Sequence, residues 1–161
     1  MNYAGRPDYR HGSTETTAVL LVNLGTPDAP TPAAVRRYLR EFLSDPRVIE
    51  LPRLLWLPLL YGVILPLRSR RSAKAYQEVW TEQGSPLLVH TRDLAAKLQA
   101  ALATDGRPLE VHMAMRYGNP SIPQVLDQLR QRGLRRLLVL PLYPQFSATT
   151  TASVFDAVAD A

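Results

Sequence analysis

At 161 residues the chain has the length of one ordinary domain and is too short for two full-sized ones. Hydrophobic residues at 46% against 20% charged sustain a packed core, which excludes wholesale disorder, and no period recurs along the chain. The absence of cysteine excludes disulfide scaffolds, cysteine-ligated zinc, iron–sulfur clusters and thiol nucleophiles, while a formal charge of +5 favours anionic partners such as nucleic acid, lipid headgroups or carboxylate ligands.

Residues 1–15 are polar and predict a flexible tail. No apolar h-region precedes the first hydrophobic stretch, so no secretory signal is read and the cytoplasm is the expected compartment. Thr17 to Leu24 contains a continuous apolar run with β-branched members, the pattern of a parallel strand covered on both faces. It is expected to end in the turn-forming segment Asn23-Leu24-Gly25-Thr26-Pro27. Thr31 before Pro32 reads as an N-cap with proline at the first helical position, and Val35, Tyr38, Leu39 and Phe42 form a helical stripe.

Between Arg53 and Arg68 lie fourteen uncharged residues, fewer than the roughly 20 a membrane span requires. Pro58, Gly62 and Pro66 argue against one continuous helix here. Two readings stay open: a kinked, buried core helix, or a partly exposed apolar lip bordered by arginines that meets a large flat ligand or a membrane surface. Most of the basic residues between Arg36 and Lys74 read as a solvated face.

Further on, Leu88 to Leu102 is expected to be helical, Leu109 to Met115 a strand, Ile122 to Arg132 a helix closed by Gly133, and Arg136 to Leu142 a strand. The Thr149–Thr151 cluster can cap a last helix that begins near Ala152 and is still running at Ala161. Alternating strands and helices define an α/β fold, a parallel sheet flanked by helices on both faces. Ligands of such sheets bind outside the carboxyl ends of the strands, which selects Asn23–Pro30, Arg116–Pro120 and Tyr143–Thr151.

Gly25 is the only glycine of the first turn, so the three-glycine dinucleotide fingerprint is absent, as is a phosphate loop. His11, His90 and His112 have no metal-ligand spacing and read as structural or surface residues. Arg116 and Tyr117 end a strand where a fixed cation and a phenol can reach a crevice, although a structural salt bridge explains the pair equally well. The stretch from Tyr143 to Thr150 crowds hydroxyl, amide and aromatic groups onto one loop, more than a helix cap uses.

Five segments, in order, resemble the ferrochelatase family from about Thr16 to the chain end: Leu21–Pro27, Tyr38–Asp45, Gly84–Leu87, Met115–Gly118 and Leu140–Ser147. The resemblance, closest to Gram-negative bacterial members, implies a chelatase fold of two similar α/β domains with the porphyrin in the cleft between them. This chain would be the first domain (16–161), with an apolar lip at 53–71 and truncation in its last helix. The implied activity is insertion of ferrous iron into protoporphyrin IX in haem synthesis, a lyase reaction with Fe2+ and porphyrin as substrates and no permanently bound cofactor. Arg70 or Arg71, Lys74 and Ser85 would hold propionates, and Leu24, Arg116, Tyr117, Tyr143, Ser147 and Thr149 would line the cleft.

Animal members carry an iron–sulfur cysteine where this chain has Ala148, so no cluster is expected. The family's second-domain histidine, in a Ser-x-His-Gly-type motif, and its later glutamate have no counterpart, so the chain alone is expected to be inactive, with the second domain as its structural partner. Peripheral contact with the inner membrane through 54–67 is the further expectation. Competing readings are a cobalt or nickel tetrapyrrole chelatase, and a non-catalytic module that binds porphyrin or docks on membranes. Nucleic acid is not expected as a partner, because the arginines lack interleaved aromatics in a recognisable module.

Overall fold

A computed structural model describes residues 16–104 and 109–161. The expected tail and His11 lie outside them. Three parallel strands, β1 (Thr16–Thr26), β2 (Leu109–Gly118) and β3 (Leu134–Pro141), form a sheet in the order β2-β1-β3. The helices are α1 (Pro32–Ser44), α2 (Arg53–Leu59), α3 (Leu65–Val79), α4 (Pro86–Thr104), α5 (Ile122–Gln131) and α6 (Ser153–Asp160).

Central placement explains the unbroken apolar run of β1. Ala18, Leu20 and Val22 face Val125, Leu126 and Leu129 of α5 and Val154 of α6, while Val19 and Leu21 face Ala95 and Leu98 of α4. Helices therefore cover both faces, as the alternation required. β3 pairs only with β1 among the described residues, and its Leu138 and Leu140 remain 60% and 45% exposed. A third apolar cluster sits at the carboxyl end of the sheet, where Val35, Tyr38, Leu39 and Leu43 of α1 meet Leu60, Leu65, Ala73 and Tyr117.

Local chemistry sets the helix ends. Thr31 Oγ1 accepts from the Ala34 N–H at 3.3 Å with Pro32 following, as the sequence predicts. Ser121 and Gln124 form a reciprocal capping box on α5, and Gly133, at φ 86°, closes it. Replacing Ser121 by alanine is expected to cost about 1 kcal/mol in urea denaturation.

Three expectations need correction. β1 and β2 do not turn at Asn23 and Arg116 but stay paired to Thr26 and Gly118, because glycines at 25 and 118 let the two backbones meet side by side. The backbone is helical without a break from Arg53 to Val79: a π turn at Leu60–Ile64, lying between Pro58 and Pro66, joins α2 to α3. The Thr149–Thr151 cluster lies inside a second π turn, Ala148–Ala152, whose cap is Ser147; its backbone N–H donates to Thr150 Oγ1 at 2.9 Å.

The insert is one helical rod with two unlike sides. Leu60 and Leu65 are fully buried and Trp56 donates its indole N–H to the Leu43 carbonyl at 2.7 Å, whereas Leu54, Leu55 and Leu67 are 87%, 71% and 68% exposed. It is an anchored helix with a bare apolar face, not a buried core helix. Among the described residues no helix is long and apolar enough to cross a membrane.

Candidate functional site

The carboxyl end of β2 and the start of α6 meet around one carboxylate. Asp45 caps the C-terminus of α1 and is 8% exposed. Its Oδ2 accepts from Arg116 Nη2 at 2.6 Å, from the Tyr117 hydroxyl at 2.7 Å and from Ser153 Oγ at 2.7 Å; its Oδ1 accepts from the Arg47 N–H at 2.7 Å. Arg116 Nε donates to both Oγ and the carbonyl of Ser153, at 2.7 and 2.9 Å, and the guanidinium lies 4.5 Å over the Tyr117 ring. Arg47 adds a pair of bonds to Asp156 of α6, at 2.6 and 3.1 Å.

These contacts set the protonation states. Burial opposes ionisation of Asp45, yet the Ser153, Tyr117 and Arg47 hydrogen bonds and the Arg116 charge outweigh it and hold its pKa below the usual carboxylate value. Burial pushes the Tyr117, Tyr38 and Tyr143 phenols up, so all three stay protonated donors at neutral pH. Glu41 is also raised, chiefly by desolvation, although it accepts from the Gly118 N–H at 3.0 Å.

Beside this knot opens a cavity of about 670 Å³ lined by Arg116, Tyr117, Thr26, Glu41 and the lip residue Tyr61, among others. Its rim is latched: Asp28 accepts from Asn119 at 2.8 Å and pairs with Arg37 at 3.4 Å, joining the two strand-end loops. Thr26 Oγ1, Ser44 Oγ and the Tyr143 hydroxyl are buried with no hydrogen-bond partner among the described residues.

Of the ten residues singled out in the sequence, Arg116 and Tyr117 line this cavity. Tyr117 is 1% exposed, so its ring is part of the third apolar cluster, where Leu24 also packs. Tyr143 packs against the α5–α6 cluster and feels the Arg116 charge. Ser147 and Thr149 stand together, Oγ to Oγ1 at 3.1 Å, in the turn leading to Ser153. Ser85 is 4% exposed just ahead of α4, and Arg70, Arg71 and Lys74 are exposed on α3. Arg70 lines a separate groove with Arg36 and Pro32. The structure thus brings Arg116 and Tyr117 to the cavity and Arg70 to another groove, while Leu24, Tyr143, Ser147, Thr149, Ser85, Arg71 and Lys74 line neither.

Sequence reasoning missed Asp45 and Ser153. An acid directly after a helix sits against the negative end of the macrodipole, so an unpaired one is unfavourable and the position signals a cationic partner. His112, by contrast, is bonded to Glu110 at 3.0 Å, and no cluster of three or more metal-ligating side chains occurs among the described residues.

An open parallel sheet with a fixed guanidinium and buried phenols at its strand ends defines a ligand-binding α/β domain. Comparison with known proteins narrows this. The ferrochelatase family model matches residues 16–161. Ferrochelatase of Idiomarina loihiensis is 57% identical over 160 residues, covering 99% of this chain and 44% of the relative. Ferrochelatase of Methylococcus capsulatus is 61% identical over 150 residues, 93% of this chain and 45% of the relative. For ferrochelatase 2 of Shewanella oneidensis the figures are 56% over 149 residues, 92% and 46%. The chain belongs to the ferrochelatase family and spans less than half the length of these relatives.

Proposed function

We propose that residues 16–161 are the first domain of a protein that inserts ferrous iron into protoporphyrin IX to give haem. The carrying observation is the family match across that whole span. Protoporphyrin is a flat apolar ring with two anionic propionates; metal entry requires the ring to bend and two pyrrole protons to leave. An apolar wall can bind and distort the ring, and cationic and hydroxyl groups can fix the propionates by charge-assisted hydrogen bonds. The bare leucines of the lip suit the first role, and Arg70 or Arg71, Lys74 and Ser85 the second. Arg116, Tyr117, Tyr143, Ser147, Thr149 and Leu24 would belong to the cleft side, with Arg116 as the donor. The proton-accepting base would come from the family's second domain.

Titrating the chain with protoporphyrin IX, followed by quenching of porphyrin fluorescence, tests this reading: saturable binding is expected, and none would overturn it. Adding ferrous iron should give no haem above the uncatalysed rate, since the base would come from the second domain. Lys74→Met is expected to weaken protoporphyrin binding about fivefold while leaving the dimethyl ester unchanged, the exposed lysine giving less than a buried charged hydrogen bond. Equal losses for acid and ester would remove Lys74 from the propionate site. We further propose that the lip touches the inner face of the membrane, its leucines inserting beside Arg68 and Arg71; co-sedimentation with anionic vesicles that Leu54→Ser and Leu55→Ser together abolish is the expected result.

A further inference from the structure

The chemistry proposed above leaves Asp45 without a part, although no other carboxylate in the described residues is so fully engaged. Both oxygens are occupied: one takes Arg116, Tyr117 and Ser153, the other a backbone N–H. The side-chain donors come from β2 and from α6 and the backbone N–H from Arg47, while Asp45 itself ends α1. Placing an anion against the negative end of a helix dipole is unfavourable, and here the Arg116 cation offsets it.

The consequence falls on Arg116. Its Nε is held by Ser153 and its Nη2 by Asp45, with the side chain only 17% exposed, so the planar fork has one orientation. Nη1 is the nitrogen that makes no hydrogen bond to the described residues. We propose that Asp45 is a positioning residue: it holds the Arg116 guanidinium directly at Nη2 and, through the Ser153 hydroxyl, at Nε, and leaves Nη1 as a preorganised donor to the bound tetrapyrrole. Through Ser153 the same carboxylate ties that pose to the turn that carries Ser147 and Thr149. Preorganisation of this kind strengthens binding because the side chain has little freedom left to lose. The inference rests on the porphyrin-binding reading of Arg116, so its test has one arm that needs no porphyrin.

In that arm, nitrogen-15 NMR of the chain should show the Arg116 Nε–H as a resolved, slowly exchanging signal that joins the exposed arginines in Asp45→Asn. Persistence of the protected signal in that variant would overturn the proposal whether or not porphyrin binds. The second arm measures protoporphyrin affinity in a double-mutant cycle. Asp45→Asn and Arg116→Met should each weaken binding by about tenfold, and the double variant no more than Arg116→Met alone. Asp45→Glu, which restores the charge, should recover part of the loss. Losses that simply add, as two independent structural lesions would, overturn it. Should Asp45→Asn fail to fold, Ser153→Ala cuts the hydroxyl that links Nε to Asp45 and keeps the carbonyl that Nε also donates to: weaker protection of the Arg116 signal supports the lock and unchanged protection overturns it.

Discussion

Alanine at position 25 is expected to cost about 3 kcal/mol or more, enough to unfold much of the population of an ordinary domain. Gly25 sits at φ 112°, a region costly for L side chains, and a Cβ there would be driven into the Tyr117 carbonyl oxygen of the neighbouring strand. Because the obstacle is backbone, no rotamer change relieves it. Gly118 is the reciprocal case, its Cβ falling 2.6 Å from the Thr26 carbonyl oxygen. Gly62, helical and with nothing within 4 Å of an added Cβ, serves as the control, and Gly62→Ala should raise the melting temperature by a few degrees. A Gly25→Ala chain with an unchanged melting temperature would mean that β1 and β2 do not approach as described.

The second large effect depends on pH. Arg116→Leu removes the cation from a carboxylate that is only 5% exposed, and near neutrality this should cost about 3 kcal/mol. The pKa of Asp45 is lowered on folding, so its stabilising contribution is complete above the unfolded carboxylate range and is lost as pH falls through the folded value. Without Arg116, burial raises that pKa and protonation begins at a higher pH. The stability gap between the variant and the unaltered chain should therefore be widest near pH 7 and narrow as pH falls from the variant's raised Asp45 pKa through the lowered one of the unaltered chain. Urea denaturation at a series of pH values measures it. A gap independent of pH would place the stabilising role of Arg116 in packing alone.

Much of this architecture was legible in the residues. The apolar run of β1, the Thr31-Pro32 cap and the Gly133 stop each carry a local physical signal, and each lies where the structure has it. Helical continuity through Pro58 and Pro66 was not legible, because a π turn is a tertiary compromise: Leu60 and Leu65 are pinned in the core and the backbone between them widens to suit. The site divided in the same way. Arg116 and Tyr117 stood out as strand-end residues, whereas their link to Asp45 and Ser153 spans 71 and 36 residues of chain and has no sequence period to betray it. Sequence also marked the α3 cations and the strand-end groups as one set, while the folded chain puts Arg70 beside Arg36 in a groove of its own.

The outer rim of β3 carries a consequence for handling the protein. With Leu138 and Leu140 uncovered and β3 paired only with β1 among the described residues, the strand offers a ready template on which another copy can zip. Kept dilute it should behave as a monomer; concentrated, it should clump, and a solubilising charge at Leu138 is the simplest remedy.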